Sequence, residues 1–327
     1  MYRSVCKKGV SLSKSGSGSG SGSRSGSGSG STISRVVCDW DETITAEDTI
    51  KLVAQAAYKR KPDFTPLFAH FTDVYLRAYN KFEKSYTFNE ESTSYCAAGV
   101  ASAMPMTTIE SADAWTAIKQ EISYQQELKQ VELTSINEIV DRKLFTQVSI
   151  KDFEQQASKV VIRPGFWDFL KECRRSHIPV TVLSVNWTSH IIRAVLEMHG
   201  HSVDGVNLSI IVNEFKFDTN HVCTGEFDSN LPSLRTGFDK LKIIQQQFQL
   251  GKDVLYIGDS RTDLLAMIQC DFGIIIKGGS ASIKAKKLGI PILELSVVNP
   301  CDPKLLDSKV LYETDSWIEV LNYINKR

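Results

Sequence analysis

The sequence predicts an α/β protein: a parallel sheet with an α-helical domain inserted after its first strand. Three observations carry this. From about residue 160 onward, short β-branched runs alternate with amphipathic helical runs, the pattern of a parallel sheet covered on both faces. One further strand signal, Ile33–Asp39, stands alone far upstream. Between the two, about Lys61–Val160 holds no convincing strand and reads as helix.

In chain order, Ser11–Ser31 is almost entirely Ser and Gly and predicts a flexible linker. Folding is expected to start near Ile33. Val36 and Val37 are β-branched, and the polar stretch Thr43–Asp48 ends the strand. A helix is expected around Ala46–Tyr58. Phe68, Phe71, Tyr75 and Tyr79 then recur every three or four residues, the period of an amphipathic helix. Ala114–Val140, rich in Glu, Gln and Leu, predicts another, and polar Asn89–Thr108 between them reads as a loop. These four aromatics, with Trp115 and Tyr124, are expected to form the core of the helical domain rather than a platform for substrate. Pro164 is expected to open a helix over Gly165–Arg175, at a first-turn position that suits proline. A strand over Ile178–Ser184 and a helix over Ser189–His199, stopped by Gly200, follow. Val206–Val212 reads as a strand and Phe215–Phe227 as a hairpin around Asp218-Thr219-Asn220. The series closes with helix Phe238–Gln249, strand Asp253–Ile257, helix Thr262–Ile268, strand Phe272–Ile276, helix Ser280–Leu288, strand Pro291–Leu295 and helix Trp317–Ile324. The expected organisation is a Ser/Gly-rich tail (1–32), an α/β core (33–60 and 160–327) and a helical insertion (61–159).

Composition excludes several classes. Of 327 residues, 42% are hydrophobic and 23% charged, ordinary globular values that rule out a disordered or collagen-like chain for most of the length. The 38 basic and 38 acidic residues balance, but residues 1–38 carry six basic and no acidic ones. The remainder therefore holds 32 basic against 38 acidic residues, a net charge of −6. Without a basic run, that part is unsuited to displacing counterions from nucleic acid, and no nucleic-acid partner is expected. No run of 18 apolar residues exists, so neither a transmembrane helix nor a membrane partner is expected. Seven cysteines, an odd number with no C-x-x-C, argue against a disulfide framework and a zinc site. A reducing compartment follows, and the expected location is cytoplasmic. The basic, acid-free start makes a mitochondrial transit peptide the alternative.

Ligands of open α/β sheets bind at the carboxyl ends of the strands. The first strand ends in Asp39-Trp40-Asp41-Glu42-Thr43, the Ile178 strand in Ser184, and the Asp253 strand in Gly258-Asp259-Ser260-Arg261-Thr262-Asp263. Lys240 lies at the start of the helix before that last strand, with Lys242 two residues on. Acids, a hydroxyl and a lysine on one sheet edge suit phosphoryl transfer. A carboxylate, already ionised near neutrality, can attack phosphorus and split one hard step into two. Attack by an anion on an anion needs neutralisation, which Mg²⁺ held by Asp39 and Asp259 would supply. Lys240 adds fixed positive charge, and Ser184 can donate to a phosphoryl oxygen. The backbone N–H groups of Val185 and Asn186, opening the next helix, can face the phosphate.

These motifs resemble the haloacid dehalogenase (HAD) superfamily of aspartate-nucleophile phosphatases. Asp39-x-Asp41-x-Thr43, Ser184, Lys240 and Gly258-Asp259-x-x-x-Asp263 match its four motifs in order, and the resemblance runs from about Ile33 to the C-terminus. It implies a Rossmann-like core, with Asp39 as nucleophile and Asp41 as the acid that protonates the leaving oxygen and then activates water. It also implies Mg²⁺ bound by Asp39, Asp259 and the backbone carbonyl of Asp41. Thr43 would steady the phosphate-binding loop, and Asp263 would support the metal or the lysine. The sequence departs from the pattern at Glu42, where many members carry Gly, and at Ser184-Val-Asn-Trp187, where related enzymes often have Ser-Gly-Gly. The long gap from Thr43 to Ser184 has room for a helical cap domain, whereas Ser184 to Lys240 does not. A first-insertion cap resembles phosphoserine phosphatase-like and thiamine monophosphate phosphatase-like members. The expected function is a Mg²⁺-dependent phosphatase of a small phosphorylated metabolite. A phosphomutase, or a catalytically silent regulatory or binding protein of the same fold, is the alternative. The intact set of Asp39, Asp41, Ser184, Lys240 and Asp259 counts against the silent protein.

Overall fold

The computed structural model describes residues 33–88, 112–203, 205, 207–248, 253–298 and 309–326. The Ser/Gly tail and the expected Asn89–Thr108 loop lie outside those residues. In chain order the elements are strand β1 (Arg35–Cys38), helices α1 (Ile50–Arg60), α2 (Phe68–Ser85), α3 (Ala112–Asp141), α4 (Ile150–Glu154) and α5 (Phe166–Arg175), strand β2 (Val180–Leu183), helix α6 (His190–Met198), strands β3 (Leu208–Ile211), β4 (Phe215–Phe217) and β5 (Cys223–Phe227), helix α7 (Gly237–Gln247), strand β6 (Val254–Gly258), helix α8 (Arg261–Gln269), strand β7 (Phe272–Ile276), helix α9 (Ala281–Lys287), strands β8 (Ile292–Glu294) and β9 (Leu311–Thr314), and helix α10 (Trp317–Asn325). Seven strands form one sheet in the order β3-β2-β1-β6-β7-β9-β8, parallel throughout, and β4 and β5 form a separate antiparallel hairpin. The α/β class and the parallel, Rossmann-like sheet are as the alternation predicts.

Alternation along β1 splits the core into two faces. Val36 and Cys38 join Phe166, Phe169 and Trp317 on one side of the sheet, while Val37 joins Phe238, Leu241 and Leu264 on the other. Burying both faces is what a β-branched strand such as Arg-Val-Val-Cys requires.

Three local expectations are corrected. Pro164 does not open α5; the helix begins at Phe166, capped by Gly165 in a left-handed conformation (φ 88°). A Cβ at Gly165 would stand 3.0 Å from Ile318 Cγ1, so the close approach of α10 also favours glycine. The helix expected from Ala46 starts at Ile50, because the backbone N–H of Thr49 is held by Asp41 and that of Ile50 by Asp48. Strand β9, between β7 and β8, was not anticipated.

The described residues of the region expected as an insertion do not pack only among themselves. Along α3, Ile118 and Ile122 enter the same cluster as Val37 and Leu241 of the core. Tyr124, Leu128 and Val131 pack with Tyr75 of α2, and Ile136 and Ile139 pack with Phe71, Phe145 and Trp187. Polar contacts reinforce the first of these joints. The buried carboxylate of Glu121 accepts from Arg261 Nε (2.6 Å) and Nη2 (2.7 Å) and pairs with Lys284 Nζ (2.6 Å). Gln125 Oε1 accepts from the backbone N–H of Gly237 at 3.0 Å, and Lys129 pairs with Asp239 at 2.7 Å.

Candidate active site

Asp39 is the residue that follows β1, and Asp259 the residue that follows β6. The two strands are adjacent and parallel, with Cys38 opposite Ile257, so the carboxylates leave the same sheet edge side by side. The first turn of α7 carries Lys240, whose fully buried ammonium donates to Asp39 Oδ1 at 2.7 Å and Asp263 Oδ1 at 2.6 Å. Lys242 is exposed, with its ammonium over the Phe238 ring, so Lys240 is the lysine at the site. Burial alone would lower the Lys240 pKa, but the charges of Asp263 and Asp39 outweigh it and raise it. The group is a fixed cation.

Asp263 is heavily committed. Its Oδ1 also accepts from the Tyr256 hydroxyl (3.0 Å), and its Oδ2 from the backbone N–H (2.9 Å) and hydroxyl (2.6 Å) of Ser260. Carboxylate oxygens of Asp39, Asp259 and Asp263 lie within 4.8 Å of one another, all buried. With Asp263 occupied by Lys240, Tyr256 and Ser260, Asp39 and Asp259 are the pair suited to a cation. Two hard oxygen donors fit Mg²⁺, which binds through one or two carboxylates and leaves positions for water and phosphate. Gly279 fits closely behind this pair: a Cβ there would stand 2.1 Å from Asp259 Oδ2 and 2.2 Å from its carbonyl oxygen. Gly279→Ala is therefore expected to displace Asp259 and cut turnover roughly 10²-fold, the scale of an ångström-sized misplacement. Wild-type kcat/KM in that variant would show that Asp259 tolerates the shift.

Asp41 is held from three directions. Its Oδ1 accepts from the backbone N–H (2.7 Å) and hydroxyl (2.6 Å) of Thr49, and its Oδ2 from Asn186 Nδ2 (3.0 Å). Trp40 Nε1 and Asn186 Nδ2 both donate to the Thr49 hydroxyl, which fixes that donor in turn. Burial, reinforced by the charge of Asp48, pushes the Asp41 carboxyl up to about 7 despite these donors. Burial and the neighbouring Asp263 push Asp39 up to about 6, with Lys240 pulling the other way. A carboxyl that titrates near neutrality can give and take a proton.

Three residues expected around the phosphate have hydrogen-bond partners within the protein. The Thr43 hydroxyl donates to Asp259 Oδ1 at 3.2 Å and its carbonyl accepts from Trp317 Nε1 at 3.0 Å, so Thr43 positions the acid. The backbone N–H of Asn186 is spent on Ser184 Oγ (3.0 Å), and its side chain serves Asp41 and Thr49. Ser184 is fully buried and accepts that bond, and a hydroxyl that accepts can still donate its own proton, as expected of it at a phosphoryl oxygen. Val185 does face the open space of the site. Asn213, which no sequence motif marks, supports this turn by donating from Nδ2 to the carbonyls of Val185 and Asn186.

Above the sheet edge lies a cavity of about 390 Å³, with Asp39, Asp41 and Asp259 among its lining residues. Tyr75 and Tyr79 of α2 and Tyr124 and Leu128 of α3 also line it. Tyr75, Tyr79 and Tyr124 thus pack between the two helices and also present surface to the site, contrary to the purely structural role expected of them. Phe68 and Phe71 do pack in the interior, beside Trp187. Arg235 and Arg261 complete the wall.

Strand-end aspartates around a buried lysine, under a cavity of metabolite size, form a site suited to hydrolysis. The profile of the haloacid dehalogenase-like hydrolases matches residues 135–267. Cold tolerance protein 1 of Saccharomyces cerevisiae (strain ATCC 204508 / S288c) is 30% identical over 253 residues, covering 71% of this chain and 75% of that protein. The chain is a relative of that yeast protein and belongs to the haloacid dehalogenase-like hydrolase family. The mitochondrial bifunctional TH2 protein of Arabidopsis thaliana is 24% identical over 164 residues, 48% of this chain and 26% of its own length. A phosphoserine phosphohydrolase-like protein from Francisella tularensis superposes with a TM-score of 0.48 at 11% identity, over 89% of this chain and 99% of that one.

Proposed function

We propose that the protein is a Mg²⁺-dependent phosphatase that hydrolyses a small-molecule phosphomonoester through an aspartyl phosphate on Asp39. The observation that carries this reading is the buried Lys240–Asp39 contact beside Asp259 at the wall of a metabolite-sized cavity. In the first step an Asp39 carboxylate oxygen bonds to phosphorus as the ester P–O bond breaks, and the Asp41 carboxyl gives its proton to the leaving oxygen. In the second, Asp41 takes a proton from water as that water attacks phosphorus, which releases phosphate and restores Asp39. Asp39 and Asp259, with the Asp41 carbonyl that the family resemblance implies, would hold Mg²⁺, which offsets the charge between carboxylate and phosphate. Lys240 holds Asp39 in place and adds positive charge, and the tyrosine wall keeps bulk water from the intermediate. The helical region 61–159 sets substrate choice by lining the cavity, and the sheet edge sets the chemistry.

The test is hydrolysis of p-nitrophenyl phosphate and of a panel of phosphorylated metabolites. Activity is expected to vanish with EDTA and to return with Mg²⁺. Full activity in metal-free buffer overturns the metal requirement, and no hydrolysis of any phosphomonoester overturns the reading as a whole.

A further inference from the structure

Arg235 belongs to none of the motifs. It sits on the turn between the β4–β5 hairpin and α7, and its backbone N–H donates to Asp239 Oδ2 at 2.9 Å. The residue is only 7% exposed and lines the cavity. Its guanidinium carbon lies 4.4 Å from the centroid of the Phe227 ring. Its Nε and Nη1 are buried without a hydrogen-bond partner among the described residues.

A buried cation with unspent donors is costly, and interiors normally satisfy such groups. Burial lowers the Arg235 pKa to about 10, with Glu132 and Asp239 opposing the drop, so the group is charged at neutral pH. The other guanidinium in the wall, Arg261, is already spent on Glu121 and stacked 3.6 Å over the Tyr124 ring. The remaining charged lining is largely acidic: Asp41, Asp48 and Glu132 face the same space. Among the described lining residues, Arg235 is thus the one with cationic donors left to hold a further anionic group.

We propose that Arg235 recognises a second oxyanion, a carboxylate or another phosphate, carried by the same molecule whose phosphomonoester is cleaved. The planar guanidinium matches such groups with paired N–H donors. This assignment rests on the phosphatase reading and narrows its substrate class.

The experiment is calorimetric titration of the full chain, with Mg²⁺, using non-hydrolysable phosphonates. Alkylphosphonates are compared with ω-carboxyalkylphosphonates and α,ω-bisphosphonates of matched length, about two to six methylenes. For at least one length the second anion is expected to tighten binding about 10- to 100-fold, the scale of a hydrogen-bonded charged contact. Whichever arm shows the gain identifies the oxyanion as carboxylate or phosphate. Arg235→Met is expected to cut that gain to less than about threefold, and Arg235→Lys to keep part of it, since lysine retains charge but not the paired donors. The melting temperature of ligand-free Arg235→Met is expected at or above wild type, because a costly buried charge is removed. Equal binding of all matched ligands in the wild type overturns the proposal, whatever the variants do. So does a gain that survives Arg235→Met, or a variant that melts lower and weakens every ligand alike, which marks a structural role. Hydrolysis of phosphomonoesters without any second-anion gain overturns this assignment alone. Absence of both hydrolysis and phosphonate binding overturns the phosphatase reading with it.

Discussion

Asp39→Asn is expected to cost at least ~10³-fold in turnover while the protein stays folded. The loss has the scale of removing a nucleophile or an essential charge stabiliser. The structure says why folding should survive. Burial and Asp263 already push the Asp39 carboxyl up to about 6, so the fold disfavours its charge. An amide of the same volume removes that charge, and its oxygen can still accept from Lys240, which keeps its contact with Asp263 at 2.6 Å. Steady-state kinetics and a thermal melt on one preparation check both halves. Near-normal turnover would remove Asp39 from the mechanism.

Lys240→Met is expected to fail differently, losing stability as well as activity. It leaves Asp39 and Asp263 buried face to face with no cation between them. Removing one partner of a buried ion pair costs about 3–5 kcal/mol. Loss of the charge should also lower turnover by at least ~10²-fold. Lys242→Met is the control: its ammonium is exposed, so the change should stay within about 0.5 kcal/mol with activity intact. Urea unfolding and kinetics on the two variants decide the matter. A stable Lys240→Met protein with an inactive Lys242→Met protein would reverse the assignment of the motif lysine.

What was legible in the sequence was what local pattern encodes. Val36 and Val37 marked a buried strand, and Asp39 followed it; Gly258-Asp259 ended a second strand in the same way. The parallel alternation then placed both on one edge. The partners of Thr43 and Asn186 could not be read locally, because they lie far away in sequence: Thr43 binds Asp259, 216 positions on, and Asn186 binds Asp41, 145 positions back. The Glu121–Arg261 pair spans 140 positions and leaves no local trace. Tyr75, Tyr79 and Tyr124 carry an amphipathic period that says one face is covered, but periodicity does not say whether a neighbouring helix or a cavity covers it. Strand β9, Leu-Tyr-Glu-Thr, is too short and too weakly β-branched to stand out. Arg235 has no motif around it, and only its burial draws notice.

Helix α3 is 30 residues long, about 45 Å at the usual rise. Its anchored stretch, Glu121 to Lys129, grips Arg261, Gly237 and Asp239, which are near neighbours in sequence of Asp259 and Lys240. Beyond that stretch, Glu132 and Ile136 border the cavity. One helix therefore carries two different tolerances to mutation. Substitutions in its anchored stretch disturb the catalytic loops even where they never meet substrate. Substitutions at lining positions outside it, such as Glu132 and, on α2, Tyr79, reshape the pocket at a distance from the groups that grip Arg261, Gly237 and Asp239. A laboratory search for altered specificity has more freedom at those positions than at Glu121 or Lys129.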